Sequence, residues 1–229
     1  MRITTHGTFL VQLTRLGLMN AYLVREPDGL TLVDTGMPGS APGILQAAQR
    51  LELPIRRVVL THAHSDHVGS LDALHAALPD AEVLISARDA RLLRGDHTLD
   101  PHEPQTPLRG GYPGVQTVPD RLLQPDDRVG SLQVVGTPGH TPGHVALLDT
   151  RDGTLIAGDA FYTVGGVAVA SERRLRFPLP AMATWHAPTA LTSARTLVGL
   201  NPTRLAAGHG PVVERPAAAM QQALARISG

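Results

Sequence analysis

The 229-residue chain has no cysteine, which excludes disulfides, thiolate metal sites and a Cys nucleophile. Aromatic residues make up only 3% of it, leaving Leu, Val and Ala to fill the interior. Neither sign of charge is in excess, since 20 basic and 20 acidic residues cancel. Without a basic stripe, a surface that tracks nucleic-acid phosphates is not expected. The densest cationic stretch, Arg173, Arg174 and Arg176, is too short to suggest one and reads as a solvated loop. No apolar run reaches the ~18 residues that a membrane span requires. Residues 1–20 interleave Arg2, His6, Gln12 and Arg15 with apolar positions, so they read as a strand pair rather than a signal peptide. A soluble, cytoplasmic protein is the expectation.

The hydrophobic fraction, 42%, is ordinary for a globular protein. The length suits one domain over residues 1–229, large enough to bury a core without staples. Apolar runs at 8–13, 20–25 and 30–33, separated by Gly and Asp-Gly turns, predict an antiparallel meander. A helix is expected over 41–51, then a buried β-branched strand over 55–60, a helix over 70–77, a strand over 83–85 and a short helix over 87–93. Residues 95–115 break this pattern with repeated Pro and Gly. Irregular segments of that length commonly serve a site, and this one is expected to form an active-site wall. The second half repeats the theme. Strands are expected at 132–135, 145–148, 154–157 and 204–206, and helices at 188–200 and 216–227. Two β-rich layers with helices outside follow from that order.

One segment concentrates chemistry: Thr61-His62-Ala63-His64-Ser65-Asp66-His67. It follows a buried strand, where a rigid scaffold can aim several side chains at one point. His62 and His64, two apart in extended backbone, face the same side. Asp66 and His67, being adjacent, are expected to diverge, which suits two metals better than one. Imidazole and carboxylate without thiolate suit Zn, and also Mn, Fe or Co. Crowding these groups together with no metal would leave polar atoms unpaired.

The H-x-H-x-D-H segment resembles the signature of the metallo-β-lactamase superfamily. Three later segments resemble that family's remaining motifs, in the same order: Gly139-His140-Thr141, Gly158-Asp159-Ala160 and Gly208-His209-Gly210. The resemblance implies an α/β fold, a four-layer αβ/βα sandwich of two mixed β-sheets with helices outside. It implies two divalent metal ions. His62, His64 and His140 would hold one, Asp66, His67 and His209 the other, and Asp159 would bridge them. Leu32-Val33-Asp34-Thr35-Gly36 resembles the first motif, in which Asp34 would orient a ligand histidine. His144 would not be a ligand, and His6, His75, His97, His102 and His186 fall outside the motifs and are expected to pack or cap.

Absent residues narrow the branch. Lactamases with a Cys ligand are excluded, and others lack the bridging Asp. The oxygen-reducing di-iron branch has a Glu where His64 stands. What remains resembles glyoxalase II and the lactonases, although the chain ends soon after His209, where the former carries a helical region for the glutathione thioester, so that site is not expected here. Asp159-Ala160-Phe161-Tyr162-Thr163 resembles a segment of acyl-homoserine lactone lactonases in which the Tyr faces the substrate carbonyl, which makes Tyr162 a candidate catalytic residue. The function so implied is hydrolysis of an ester, lactone or thioester carbonyl by a hydroxide shared between two metals, with Asp66 shuttling the proton. The partner would be a small molecule, with neither nucleic acid nor membrane involved, and a homodimer is compatible with the sequence. A phosphodiesterase or nuclease on the same scaffold, and a non-enzymatic metal-binding module, are the competing readings.

Overall fold

The computed structural model describes residues 1–175 and 177–228. Arg176, one of the three arginines named above, lies outside the described residues. In chain order the elements are β1 (Arg2–His6), β2 (Leu10–Arg15), β3 (Met19–Glu26), β4 (Gly29–Val33), α1 (Ala41–Arg50), β5 (Ile55–Val59), α2 (Ser65–Val68), α3 (Leu71–Ala77), β6 (Glu82–Ser86), α4 (Asp89–Leu93) and β7 (Arg121–Leu123). Then come β8 (Arg128–Val129), β9 (Leu132–Gly136), β10 (Val145–Asp149), β11 (Thr154–Gly158), β12 (Phe161–Tyr162), β13 (Ala168–Val169), α5 (Leu179–Ala183), α6 (Ala187–Gly199), β14 (Arg204–Ala207), β15 (Val213–Glu214) and α7 (Ala217–Ser228).

Strands β1 to β7 form one sheet in sequential order. It is antiparallel from β1 to β4 and parallel from β4 to β7. The second sheet runs β15-β14-β11-β10-β9-β8, and only β11 and β14 pair in parallel. Both sheets are therefore mixed, as expected. The side-chain alternation of a strand sends successive residues to opposite faces, and the cores follow that rule. Leu32, Val58 and Leu60 pack on Ile44 of α1, Leu74 of α3 and Leu92 of α4. Their neighbours Val33 and Val59 join Leu84, Val134, Leu147 and Ile156 between the two sheets. Ala146 and Leu155, on the far face of the second sheet, meet Leu197 of α6 and Met220 of α7. Helices, sheet, sheet, helices make four layers. Truncating a fully buried Leu147 to Ala would cost roughly 2–5 kcal/mol, because the layers around it cannot collapse into the gap.

Most predicted elements are present within a residue or two. The helix at 41–51 begins where Pro42 sits in the first turn, a position that tolerates a missing N–H. Four features differ from expectation. The run at 8–13 is a turn and then β2, with β1 a separate partner strand. Ser65–Val68, inside the histidine segment, is a helical turn. Leu179–Ala183 is a five-residue helix, and the strands β7, β8, β12, β13 and β15 lie in stretches with no predicted strand. Strands of two or three residues carry no periodicity to read.

Candidate metal centre

Parallel strands end on the same edge, and that is where the chemistry gathers. Asp34 follows β4, and the His62–His67 segment follows β5 in the first sheet. In the second sheet, Asp159 follows β11, His209 follows β14, and His140 lies in the connection from β9 to β10. The two sheets thus bring all seven expected ligands to one cleft. The nitrogens and oxygens of His62, His64 and His140 lie within 4.8 Å of one another, as do those of Asp66, His67 and His209, and those of His62, His67 and Asp159. Asp159 Oδ1 is 3.4 Å from His67 Nε2, while its Oδ2 is 3.0 Å from His209 Nε2 and 3.4 Å from His140 Nε2. One carboxylate therefore touches both sets. Gly208 is required for this approach, since a Cβ there would lie 2.2 Å from Asp159 Oδ1.

His62 and His64 share one set, as their spacing predicts. Asp66 and His67 do not diverge, because the backbone leaves the extended form after His64 and turns helically through α2. Both side chains then reach the set that contains His209.

Each imidazole of the cluster but one is anchored by its outer nitrogen. His67 Nδ1 donates to Asp34 Oδ2 at 2.8 Å. His62 Nδ1 donates at 3.0 Å to Thr61 Oγ1, whose own hydrogen goes to Asp34 Oδ2 at 2.8 Å. His140 Nδ1 donates at 3.0 Å to Thr184 Oγ1, which donates onward to the Pro180 carbonyl. His64 Nε2 donates to the Arg109 carbonyl at 2.9 Å. These partners assign the ring orientations: the inner nitrogens of all four rings point into the cluster, and those of His62, His64 and His140 keep their lone pairs. His62 Nε2, His67 Nε2 and Asp159 Oδ1 are buried there without any hydrogen-bond partner. Leaving a buried polar atom unsatisfied costs about 1–3 kcal/mol. A divalent cation would relieve all of them at once, and four imidazoles converging with two carboxylates and His209 match its preferred donors. The residues fit a metal pair.

Electrostatics divides the cluster. Burial presses His62 and His140 well below the usual imidazole range, and lowers His64 as well. For His67 burial acts in the same sense, but the charges of Asp159, Asp34 and Asp66 overcome it and hold the ring well above its usual range. Burial opposes ionisation of Asp159, yet the adjacent His209 and His67 keep its carboxyl well below the ordinary value.

Asp34, the residue expected to orient a ligand histidine, adopts φ +61° and, besides His67, accepts from the Thr61 N–H at 2.8 Å. It orients two imidazoles, one directly and one through Thr61. His144 stands behind Asp159, whose N–H donates to His144 Nε2 at 3.0 Å. The His209 loop is held by a buried polar network on β2 and β3. Asn20 Nδ2 donates to the Ala207 and Gly210 carbonyls at 2.9 and 2.7 Å, Tyr22 Oη to the Ala207 carbonyl at 2.6 Å, and Gln12 Nε2 to the Gly210 carbonyl at 3.0 Å. Polar residues recurring among apolar strand positions were the available clue. His186 caps α6, accepting from the Thr189 N–H.

Residues 95–115 form neither helix nor strand and wall the outer side of His64. Ion pairs clamp the segment: Arg88 to Glu103 at 2.7 Å, and Arg91 to Asp96 and Asp100 at 2.9 and 2.7 Å. Trp185 Nε1 closes the far side by donating to the Thr106 carbonyl at 2.9 Å. Tyr162 departs from expectation. Its side chain is fully buried, its hydroxyl donates to the Glu172 carbonyl at 2.8 Å, and its ring packs on Phe177. It is not brought into the cleft, whose lining is Met19, Leu179, Pro180 and Ala183 above the His and Asp side chains. The motif set its position in the chain, but the Glu172 carbonyl sets where the hydroxyl points.

The sequence model of the Metallo-beta-lactamase superfamily matches residues 15–209. The chain belongs to that superfamily. Among its relatives, the Uncharacterized protein YobT of Bacillus subtilis (strain 168) is 49% identical over 98% of this chain and 97% of its own. The Probable metallo-hydrolase YflN of the same organism is 32% identical over 84% of this chain and 81% of its own. A Hydroxyacylglutathione hydrolase of Xanthomonas axonopodis pv. citri (strain 306) is 34% identical, over 56% of this chain and 41% of its own. Among solved structures, TTHA1623 in a di-iron-bound form superposes with TM-score 0.64 at 29% identity, covering 92% of this chain and 96% of that one. The class B3 di-zinc metallo-beta-lactamase LRA-12 superposes with TM-score 0.72 at 19% identity, covering 100% and 92%, which shows the shared fold. Iron and zinc both appear among these neighbours, so the fold does not select the metal. Among the described residues no helix is long and apolar enough to cross a membrane.

Proposed function

We propose that this chain is a dinuclear metal-dependent hydrolase acting on the ester, lactone or thioester carbonyl of a small molecule. The observation that carries the reading is the set of buried inner nitrogens of His62, His64, His67 and His140, aimed at one another around Asp159 while their outer nitrogens are all engaged. When bound, a pair of divalent cations would supply Lewis acidity and an ionised water at neutral pH. His62, His64 and His140 would hold one, Asp66, His67 and His209 the other, and Asp159 both. The imidazole- and carboxylate-only donor set, without thiolate, favours zinc, with manganese, iron or cobalt as alternatives.

The protein's own part is positional and protic. Asp34, Thr61, Thr184 and the Arg109 carbonyl fix the tautomers, so the rings need not reorganise. Asp66 is the ligand carboxylate that opens to the cleft, with 28% of its side chain exposed and its Oδ2 3.4 Å from His209 Nε2. It is placed to take a proton from the attacking water and pass it to the leaving group. Met19, Leu179, Pro180 and Ala183 give the cleft an apolar lining beside the His and Asp side chains, which suits an uncharged carbonyl compound better than a polyanion. The balanced charge of the chain supports the same choice over nucleic acid.

Elemental analysis and a hydrolysis panel test this. About two metals per chain are expected, with loss of turnover on chelation, and with lactone or thioester cleavage above that of bis-p-nitrophenyl phosphate. Preference for the phosphodiester would move the protein to the nuclease-like class. A metal-loaded protein inert to every substrate would make it a binding module.

A further inference from the structure

Asp89, at the start of α4, is a fully buried carboxylate with no ion-pair partner among the described residues. Burying such a group costs several kcal/mol unless its hydrogen bonds are satisfied. Here they are, and the donors come from two different loops. Oδ2 accepts from the Ala63 N–H at 3.0 Å and from the Thr141 hydroxyl at 2.7 Å, and Oδ1 accepts from the Gly143 N–H at 2.7 Å. Ala63 sits between His62 and His64, and Thr141 follows His140. The carboxylate therefore ties the first histidine loop to the second, one residue from each of three imidazoles. Gly143 leaves room for this, since a Cβ there would come within 2.6 Å of Asp89 Oδ1. The spacing across the tie is tight: His64 Nδ1 lies 3.0 Å from His140 Nε2. The His209 loop hangs instead on β2 and β3.

We infer that Asp89 is a positioning residue that sets the spacing of the His62, His64 and His140 nitrogens, and so governs cation binding at that set and not at the Asp66, His67 and His209 set. The inference rests on the metal reading above. The same helix turns Arg88 and Arg91 outward onto the wall segment, whose Arg109 carbonyl holds His64 from its other side. Helix α4 thus fixes His64 through both its backbone neighbour and its ring.

Asp89→Asn is the sharpest probe. With its oxygen in the Oδ2 place it keeps Ala63 and Thr141 but turns its NH2 onto the Gly143 N–H, and with the amide reversed it keeps Gly143 and turns the NH2 onto the Ala63 N–H. Either way the variant keeps size, sets a donor against a donor and loosens the tie. Metal-free wild type and variant are titrated with Co(II), following the visible absorption and the stoichiometry. His140→Ala and His209→Ala show which equivalent belongs to which set. The equivalent lost in His140→Ala should weaken about 10- to 100-fold in Asp89→Asn, the usual effect of losing a group that orients ligands. The equivalent lost in His209→Ala should hold. Thr141→Val, which removes one of the three hydrogen bonds and no charge, should weaken the same equivalent by a smaller factor. It decides the matter should Asp89→Asn fail to fold. Two wild-type equivalents in either folded variant, or equal weakening of both, would overturn the inference while leaving the metal centre standing. A wild-type protein that binds no Co(II) would overturn both.

Discussion

The two halves of the cluster are built differently although they share Asp159. The His62, His64 and His140 set is all imidazole, buried, and kept neutral by its burial. It is braced by the Thr184 hydroxyl and by the Arg109 carbonyl of the wall segment. The Asp66, His67 and His209 set holds a carboxylate open to the cleft, and its His67 is surrounded by Asp34, Asp66 and Asp159. The contrast suggests a division of labour. On the proposed reading the first set would be a buried, neutral seat for a cation, and the second a charged one open to proton exchange with the cleft. A di-metal site need not be symmetric to be stable, provided each half satisfies its own polar atoms.

That contrast can be broken outright at Asp159. Asp159→Ala should lower metal affinity at both sets and turnover by more than about 100-fold, with the circular dichroism of the folded chain retained. Full turnover in that variant would remove the basis of the whole reading. Next in size, His140→Ala and His209→Ala should each leave about one cation per chain by elemental analysis, since each removes a ligand of one set only. Asp34→Asn should weaken metal binding about 10- to 100-fold, most at the second set, because His67 Nδ1 would lose its carboxylate acceptor.

The pH dependence of uptake should also separate the sets. His67 is held protonated above the usual imidazole range, so a cation arriving there must displace a proton. Binding at the second set should strengthen as pH rises towards that range and weaken as pH falls. His62 and His140 sit below the range and have no proton to release at neutral pH, so the first set should be nearly indifferent there. Calorimetry of stepwise loading in buffers of different ionisation enthalpy reads the protons directly, and equal release at the two steps would erase the distinction. The smallest effect is expected at Tyr162→Phe. With its hydroxyl spent on the Glu172 carbonyl, the variant should lose about 1 kcal/mol of stability and little turnover. A large fall in kcat with an unchanged melting temperature would put Tyr162 back among the reacting groups.

The His62–His67 segment was legible because histidine and aspartate clustered at a strand end have few other uses, whereas His140, Asp159 and His209 were reached only through the resemblance of their motifs to those of the superfamily. Their supports were harder to read. Asp89 lies in Ala87-Arg88-Asp89-Ala90, where an acidic residue at a helix start looks ordinary. Only the fold reveals that it faces inward to Ala63 and Thr141. Asn20 and Gln12 look like exposed strand residues until the His209 loop is laid across them. Tyr162 had the right neighbours in the chain, yet its direction depends on Glu172 and Phe177, which no local spacing announces. The turn of α2 is too short to leave a period, and it changes where Asp66 points.

The network from β2 and β3 has one more implication. Asn20 grips the backbone on either side of His209 from 187 and 190 residues away. During synthesis, then, the first set of imidazoles and its Thr184 brace emerge before His209 does. The second must wait until almost the entire polypeptide is free and its two extremes have met. On the proposed metal reading, a chain clipped before His209 would keep the ligands of one seat and lack one of the other's.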